Sequence, residues 1–178
     1  MNTTQATLIA GLIAFVSSSS LDAQGQDACA LLTTAEVQQA FPGAKPGEVD
    51  RQLEKYGMTR CTWKYPGGTL VIVASDEEES AKDGAEGLTP AFVDPLRGDA
   101  GKHVRYETLP GVGDQAVAVV ERADKAKGFT QDGAILVVQR GKHQVAALSS
   151  DLARRERPDA LRVFTELGKA IAKRMAVR

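Results

Sequence analysis

The sequence predicts an α+β fold: a mainly antiparallel sheet with an N-terminal and a C-terminal helix packed on it, held by one disulfide. Three observations predict it. Short runs of alternating apolar and polar residues are separated by glycine-containing turns, the pattern of antiparallel hairpins. Amphipathic segments stand at both ends of this strand-rich stretch, so helices and strands segregate instead of alternating as βαβ units. The chain also carries two cysteines, Cys29 and Cys61, downstream of a leader-like N-terminus.

Residues 1–23 read as a signal peptide and residues 24–178 as a single α+β domain. The apolar run from Ala6 to Val16 is followed by four serines and then small and polar residues, with cleavage expected after Ala23. A bilayer span needs roughly 20 apolar residues, so this run suits a secretory h-region and no stable membrane span is expected. Cys29 lies thirteen residues beyond Val16, too far for a lipid-attachment site. Export places the two cysteines in an oxidising compartment, periplasmic or secreted. Cysteine metal sites and redox pairs bring CxxC spacing, which is missing here, so a structural disulfide is expected. Closing a loop of about 33 residues would contribute roughly 3 to 4 kcal/mol on the loop-entropy account.

The first helix is expected in ALLTTAEVQQAFPG. Thr33 is the N-cap and Glu36, three residues on, completes a capping box. Leu32, Val37, Ala40 and Phe41 share an apolar stripe, and Pro42-Gly43 ends it. After a polar connection, MTRCTWKY alternates, PGG turns and TLVIVAS returns, a hairpin that sets Cys61 and Trp63 on one face of a strand. A Cys29–Cys61 bond would pin the start of the first helix to this hairpin, with Trp63 packed beside it.

The segment from 76 to 100 has the weakest pattern. The acidic run Asp76–Glu79 lacks the spaced ligands and turn glycine of a calcium loop and reads as a solvated turn. A short helix over 86–96 would be interrupted by Pro90 and Pro95. A lid or partner-binding loop would be placed here if the protein has one. HVRYETL, QAVAVVER, AILVVQR and HQVAALSS then read as strands, with Gly141-Lys142 as a two-residue turn. The last helix is expected in RPDALRVFTELGKAIAKRM. Pro158 suits its first turn, Leu161, Phe164, Leu167, Ile171 and Met175 form an apolar stripe, and basic residues near its end favour the dipole. Trp63, Leu161, Phe164 and Ile171 are the expected core markers.

LPGVGDQAV poses a choice between a phosphate cradle and a hinge. A cradle wants strand, glycines and then helix, whereas the residues after Asp114 alternate as a strand. Gly111 and Gly113 therefore supply backbone freedom at a tight turn, with Asp114 capping that turn through its own backbone.

Composition narrows the functional classes. With 22 basic and 23 acidic residues the net charge is −1, and aromatics make up 5%, so a nucleic-acid partner is not expected. No G-x-S-x-G elbow is present, and the two histidines, His103 and His143, each stand in a GKH at an expected strand start. They read as exposed strand-edge residues. No metal site and no cofactor are expected.

The residues quoted above carry a resemblance. CALLTTAEV, the CTW strand, LPGVGDQAV, VVQRGKHQVAAL and a final helix ending in AKRM resemble a group of small exported bacterial domains. That group includes actinobacterial lipoproteins of unknown function, and it is similar to the extracytoplasmic sensor domain of mycobacterial serine/threonine kinases. The resemblance covers most of Cys29 to Met175. It implies a secreted α+β domain, a Cys29–Cys61 disulfide and no established catalytic residues. Many of the relatives carry a lipid-modified cysteine that this chain lacks. The expected function is an exported, non-enzymatic binding or sensor-like module for a small ligand or an envelope protein. The alternative is a small secreted hydrolase using His103 or His143 with nearby acids.

Overall fold

A computed structural model describes residues 26–76, 104–123 and 132–175. Seven strands form one antiparallel sheet: β1 (Glu48–Asp50), β2 (Met58–Tyr65), β3 (Gly68–Asp76), β4 (Val104–Thr108), β5 (Gln115–Glu121), β6 (Gly133–Arg140) and β7 (His143–Leu148). Their spatial order is β1-β2-β3-β7-β6-β5-β4. Three helices complete the described architecture, α1 (Thr34–Ala40), α2 (Ser150–Arg154) and α3 (Arg157–Arg174). This is the expected α+β class, mainly sheet, with helices near both ends of the chain and one disulfide.

The hairpins form where the turns require them. β2 and β3 pair from Met58↔Ser75 to Tyr65↔Gly68, leaving Pro66-Gly67 as the connection. β6 and β7 pair up to Arg140↔His143, and Gly141 takes φ +57° in the two-residue turn, a left-handed conformation that glycine adopts without strain. The pattern expected over HQVAALSS divides in two: the strand ends at Leu148, and Ser150 opens α2, which the sequence does not announce.

Alternation along the strands separates two apolar clusters. On one face Cys61, Trp63, Ile72, Leu136, Val138 and Val145 join Val37 and Phe41 around α1, Leu152 of α2, and Val163, Phe164, Leu167 and Ile171 of α3. Phe164 and Ile171 are buried as expected, while Leu161 is only partly buried, packed against the margin of the cluster. Val163, outside the expected stripe, is fully buried. On the other face Val73, Val104, Val119, Val137 and Ala146 form a second cluster. The near-continuous apolar reading of VIVA, AVAVV and ILVV follows from burial on both faces.

The edge strand β1 has no alternating signal and fell within the expected polar connection. It exists because its backbone pairs with β2, at Glu48↔Thr62, Val49↔Cys61 and Asp50↔Arg60. Two ion pairs bridge the same strands, Lys64 to Glu48 and Arg60 to Asp50, both at 2.7 Å. Such exposed pairs add little stability individually.

The PGVGD turn lies between β4 and β5, on the far side of the sheet from β2. Gly111 and Gly113 have φ +74° and +58°, so the expected backbone freedom is used. Asp114 departs from expectation. Its carboxylate accepts a 2.7 Å hydrogen bond from the Gly141 amide, and its own amide donates to the Gln139 carbonyl at 2.9 Å. The turn is thus clamped onto the neighbouring β6–β7 hairpin and not closed on itself. Gly113 permits this approach, since a Cβ there would stand 2.5 Å from the Gln139 oxygen. Between the glycines Val112 points into the core beneath α3, where Gly168 leaves room for it.

Candidate functional site

One candidate among the described residues is a cavity at the β1–β2 margin of the helix-bearing face. Its walls are built from the chain that precedes α1. Asp27 accepts a 2.9 Å hydrogen bond from the Cys29 amide and starts a 3-10 turn over Ala28–Ala30. The Ala28 amide donates to Thr59 Oγ1 at 2.9 Å, which fixes that turn on β2. Cys29 and Cys61 are joined by the expected disulfide, with Cα atoms 5.0 Å apart.

α1 follows with the expected capping box. Thr33 Oγ1 accepts from the Glu36 amide, and the Glu36 carboxylate accepts from the Thr33 amide at 2.8 Å. Glu36 also pairs with Arg174 at 2.9 Å, tying α1 to the C-terminal end of α3. Burial raises the Glu36 pKa, but the Thr33 amide and hydroxyl and the Arg174 guanidinium together outweigh it and hold the carboxyl below its ordinary value.

Below these walls lies Trp63, 1% exposed. The cavity has a volume of about 360 Å³ and is lined by Cys29, Ala30, Leu32, Thr33, Thr34, Pro46, Gly47 and Trp63. Gly47 passes directly over the indole and the disulfide: a Cβ at this position would lie 2.6 Å from Cys61 Sγ and 2.8 Å from Trp63 Cε2. Its φ is not in the left-handed region, so close approach is what requires glycine here. The indole Nε1, bonded to Cε2, is buried with no hydrogen-bond partner. An unpaired buried donor of this kind costs about 1 to 3 kcal/mol.

A second cluster braces the other end of α1. Arg155, between α2 and α3, donates to Asp151 at 2.9 Å and to the Ala40 carbonyl at 2.8 Å, and its guanidinium stands 5.2 Å from the centre of the Phe41 ring. Phe41 stacks on Tyr65 at 4.5 Å, and the Tyr65 hydroxyl shares a 2.9 Å hydrogen bond with Ser149. Burial, opposed by the Ser149 hydrogen bond and reinforced by the Asp151 charge, pushes the Tyr65 phenol up. Every polar group in this chain of contacts serves a neighbour, which marks it as a brace.

The structure brings Cys29, Cys61 and Trp63 together and keeps Gly111, Gly113 and Asp114 apart from them. His143 corrects an expectation. It is 7% exposed and opens β7, a central strand, between Asp76 of β3 and Arg140 of β6, so it is not a solvated strand-edge residue. Arg140 in turn donates to the Ala172 carbonyl in the last turn of α3. His103, Glu77 to Glu79, the 86–96 helix expectation and the expected signal peptide lie outside the described residues, as does nearly all of the segment from 76 to 100. Among the described residues no group of three or more His, Cys, Asp or Glu side chains is placed to hold a metal ion, and no helix is long and apolar enough to cross a membrane. No family model, curated protein or solved structure matches the chain.

Proposed function

We propose that the chain is an exported, non-enzymatic binding or sensor-like module that works in the periplasm or outside the cell, and that the cavity above Trp63 is where it takes a small ligand. The observation that carries this reading is the cavity itself. It is of small-molecule size, lined by apolar and hydroxyl-bearing residues, backed by a disulfide, and floored by a side chain with an unused hydrogen-bond donor. The disulfide supports an oxidising environment. The leader-like N-terminus and the resemblance to exported domains support the same reading.

The test uses the protein recovered from the periplasm of an expressing host. Intact mass should show loss of about 23 residues and two hydrogens fewer than the reduced chain. Native mass spectrometry and a thermal-shift series with the low-molecular-weight fraction of periplasmic extract should reveal a bound species whose removal lowers the melting temperature. Two free thiols, or a retained Met1, would overturn the compartment. Turnover of p-nitrophenyl acetate lost on His143→Ala or His103→Ala would replace this reading with the hydrolase.

A further inference from the structure

We infer that the cavity selects an uncharged, largely apolar ligand carrying one strong hydrogen-bond acceptor, an amide or ketone carbonyl, and that the acceptor is read by the indole N–H of Trp63. The inference rests on the binding reading above and names the ligand class for that site. Two independent observations meet here. The cavity provides the room, about 360 Å³, and Trp63, almost wholly buried in its floor, holds a donor with no partner. Buried donors in folded proteins are nearly always satisfied, so an orphan just beneath a cavity marks a place where a partner belongs.

The chemistry of the walls narrows the class. Leu32, Pro46, Ala30 and the indole offer apolar surface, and the lining includes no ionisable side chain apart from the cysteine already committed to the disulfide. A carboxylate or ammonium would give up part of its hydration against these walls without an opposite charge to replace it. The Thr33 hydroxyl is engaged by the Glu36 carboxylate, which leaves the Thr34 hydroxyl and the indole as the lining's side-chain donors, and of the two the indole is the one buried without a partner.

The N–H is covered as well as unpaired, because Gly47 rests on the edge of the ring next to it. An acceptor reaches Nε1 only with an outward shift of Pro46–Gly47, between the hydrogen bond of the Lys45 amide to the Lys64 carbonyl and the Glu48↔Thr62 pair that hold its two ends. Pro46 has no amide hydrogen to lose in that movement.

Trp63 is the one tryptophan of the chain, so a ¹⁵N-labelled sample gives a single indole resonance. The probes are N-cyclohexylacetamide, cyclohexanecarboxylate and cyclohexylammonium, which keep one ring and change the polar group. The amide should move the indole proton downfield and slow its exchange, together with shifts at the Leu32, Thr34 and Gly47 amides. Cyclohexylammonium, which cannot accept from the indole, and cyclohexanecarboxylate, which can but brings an uncompensated charge, should both bind about tenfold more weakly or worse. If the cavity amides respond and the indole does not, or if an ion binds as tightly as the amide, the ligand class is wrong while the binding site stands. If no cavity amide responds to N-cyclohexylacetamide at its solubility limit, the cavity reading falls as well. Trp63→Phe, where it folds, should weaken the amide about tenfold and leave the ammonium unchanged. The probe comparison on the native chain decides the matter where it does not fold.

Discussion

Replacing Gly47 by alanine tests the close approach at the cavity with the smallest possible perturbation. The added methyl would stand 2.6 Å from Cys61 Sγ, 2.8 Å from Trp63 Cε2 and 3.0 Å from Trp63 Cζ2. Neither neighbour can yield cheaply. The sulfur is bonded to Cys29, and the indole is sealed in the core. Overpacking of this kind costs about 1 to 3 kcal/mol. Alanine at a φ it can adopt returns about 0.4 to 1 kcal/mol by restricting the unfolded chain. The net expectation is a loss of about 1 to 2 kcal/mol, which for a chain of this size lowers the melting temperature by roughly 2 to 8 °C. Urea unfolding followed by Trp63 fluorescence measures it directly. The midpoint should fall with an unchanged slope, and the native emission should change because the methyl presses on the fluorophore. In a Cys29→Ala/Cys61→Ala background the sulfur is gone and the penalty should shrink, giving a measurable coupling between positions 47 and 61. A Gly47→Ala midpoint equal to or above the native one, or the same penalty with and without the sulfur, would refute the close-approach argument.

Other perturbations follow from the same geometry. Cys61→Ser should cost about 3 to 4 kcal/mol in urea unfolding, and an unchanged midpoint would remove the disulfide from the account of stability. Gly113→Ala combines a left-handed φ of +58° with a Cβ 2.5 Å from the Gln139 oxygen. It should destabilise by more than about 1 kcal/mol, whereas Gly111→Ala, with no neighbour within 4 Å of its Cβ, pays only the backbone term. For Glu36 the folded pKa is lowered, so its contribution is fully present above the unfolded carboxylate value and is lost as pH falls through the folded one. Stability of the native chain should therefore decline on acidification with a slope that Glu36→Gln flattens, and equal slopes for the two would contradict the assignment.

How far the sequence could be read depended on the range of the interaction. Thr33 and Glu36 form the capping box that their spacing announces, because its partners lie within one turn. β2 and β3 meet across Pro66-Gly67 for the same reason. The pairing of Cys29 with Cys61 was legible because a chain with two cysteines leaves one choice of partner. Gly47, by contrast, carries no local signal: its requirement comes from a disulfide and an indole brought beneath it by the sheet. Arg155 reads as one more charge in a basic stretch, yet its guanidinium joins α1 to the α2–α3 corner. Asp114 has the residue type of a self-capping turn, but its acceptor is used by Gly141, 27 positions away. β1 is the extreme case, a strand made by its neighbour and not by its own residues. The cavity inherits this limit, since it is assembled from segments before α1, before β1 and within β2.

The strand β1 also bears on how the protein behaves in a crowd of its own copies. Removing its three residues from the sheet would leave β2, eight residues with an unpaired row of amides and carbonyls, as an open edge. An edge of that length is a template for pairing with another chain. β1 replaces it with a short edge whose carboxylates, Glu48 and Asp50, are neutralised inward by Lys64 and Arg60, so a second sheet finds little to extend. Loosening the stretch from Pro46 to Asp50 would thus be felt in solubility before it is felt in melting: the folded core remains, and the molecule becomes self-associating.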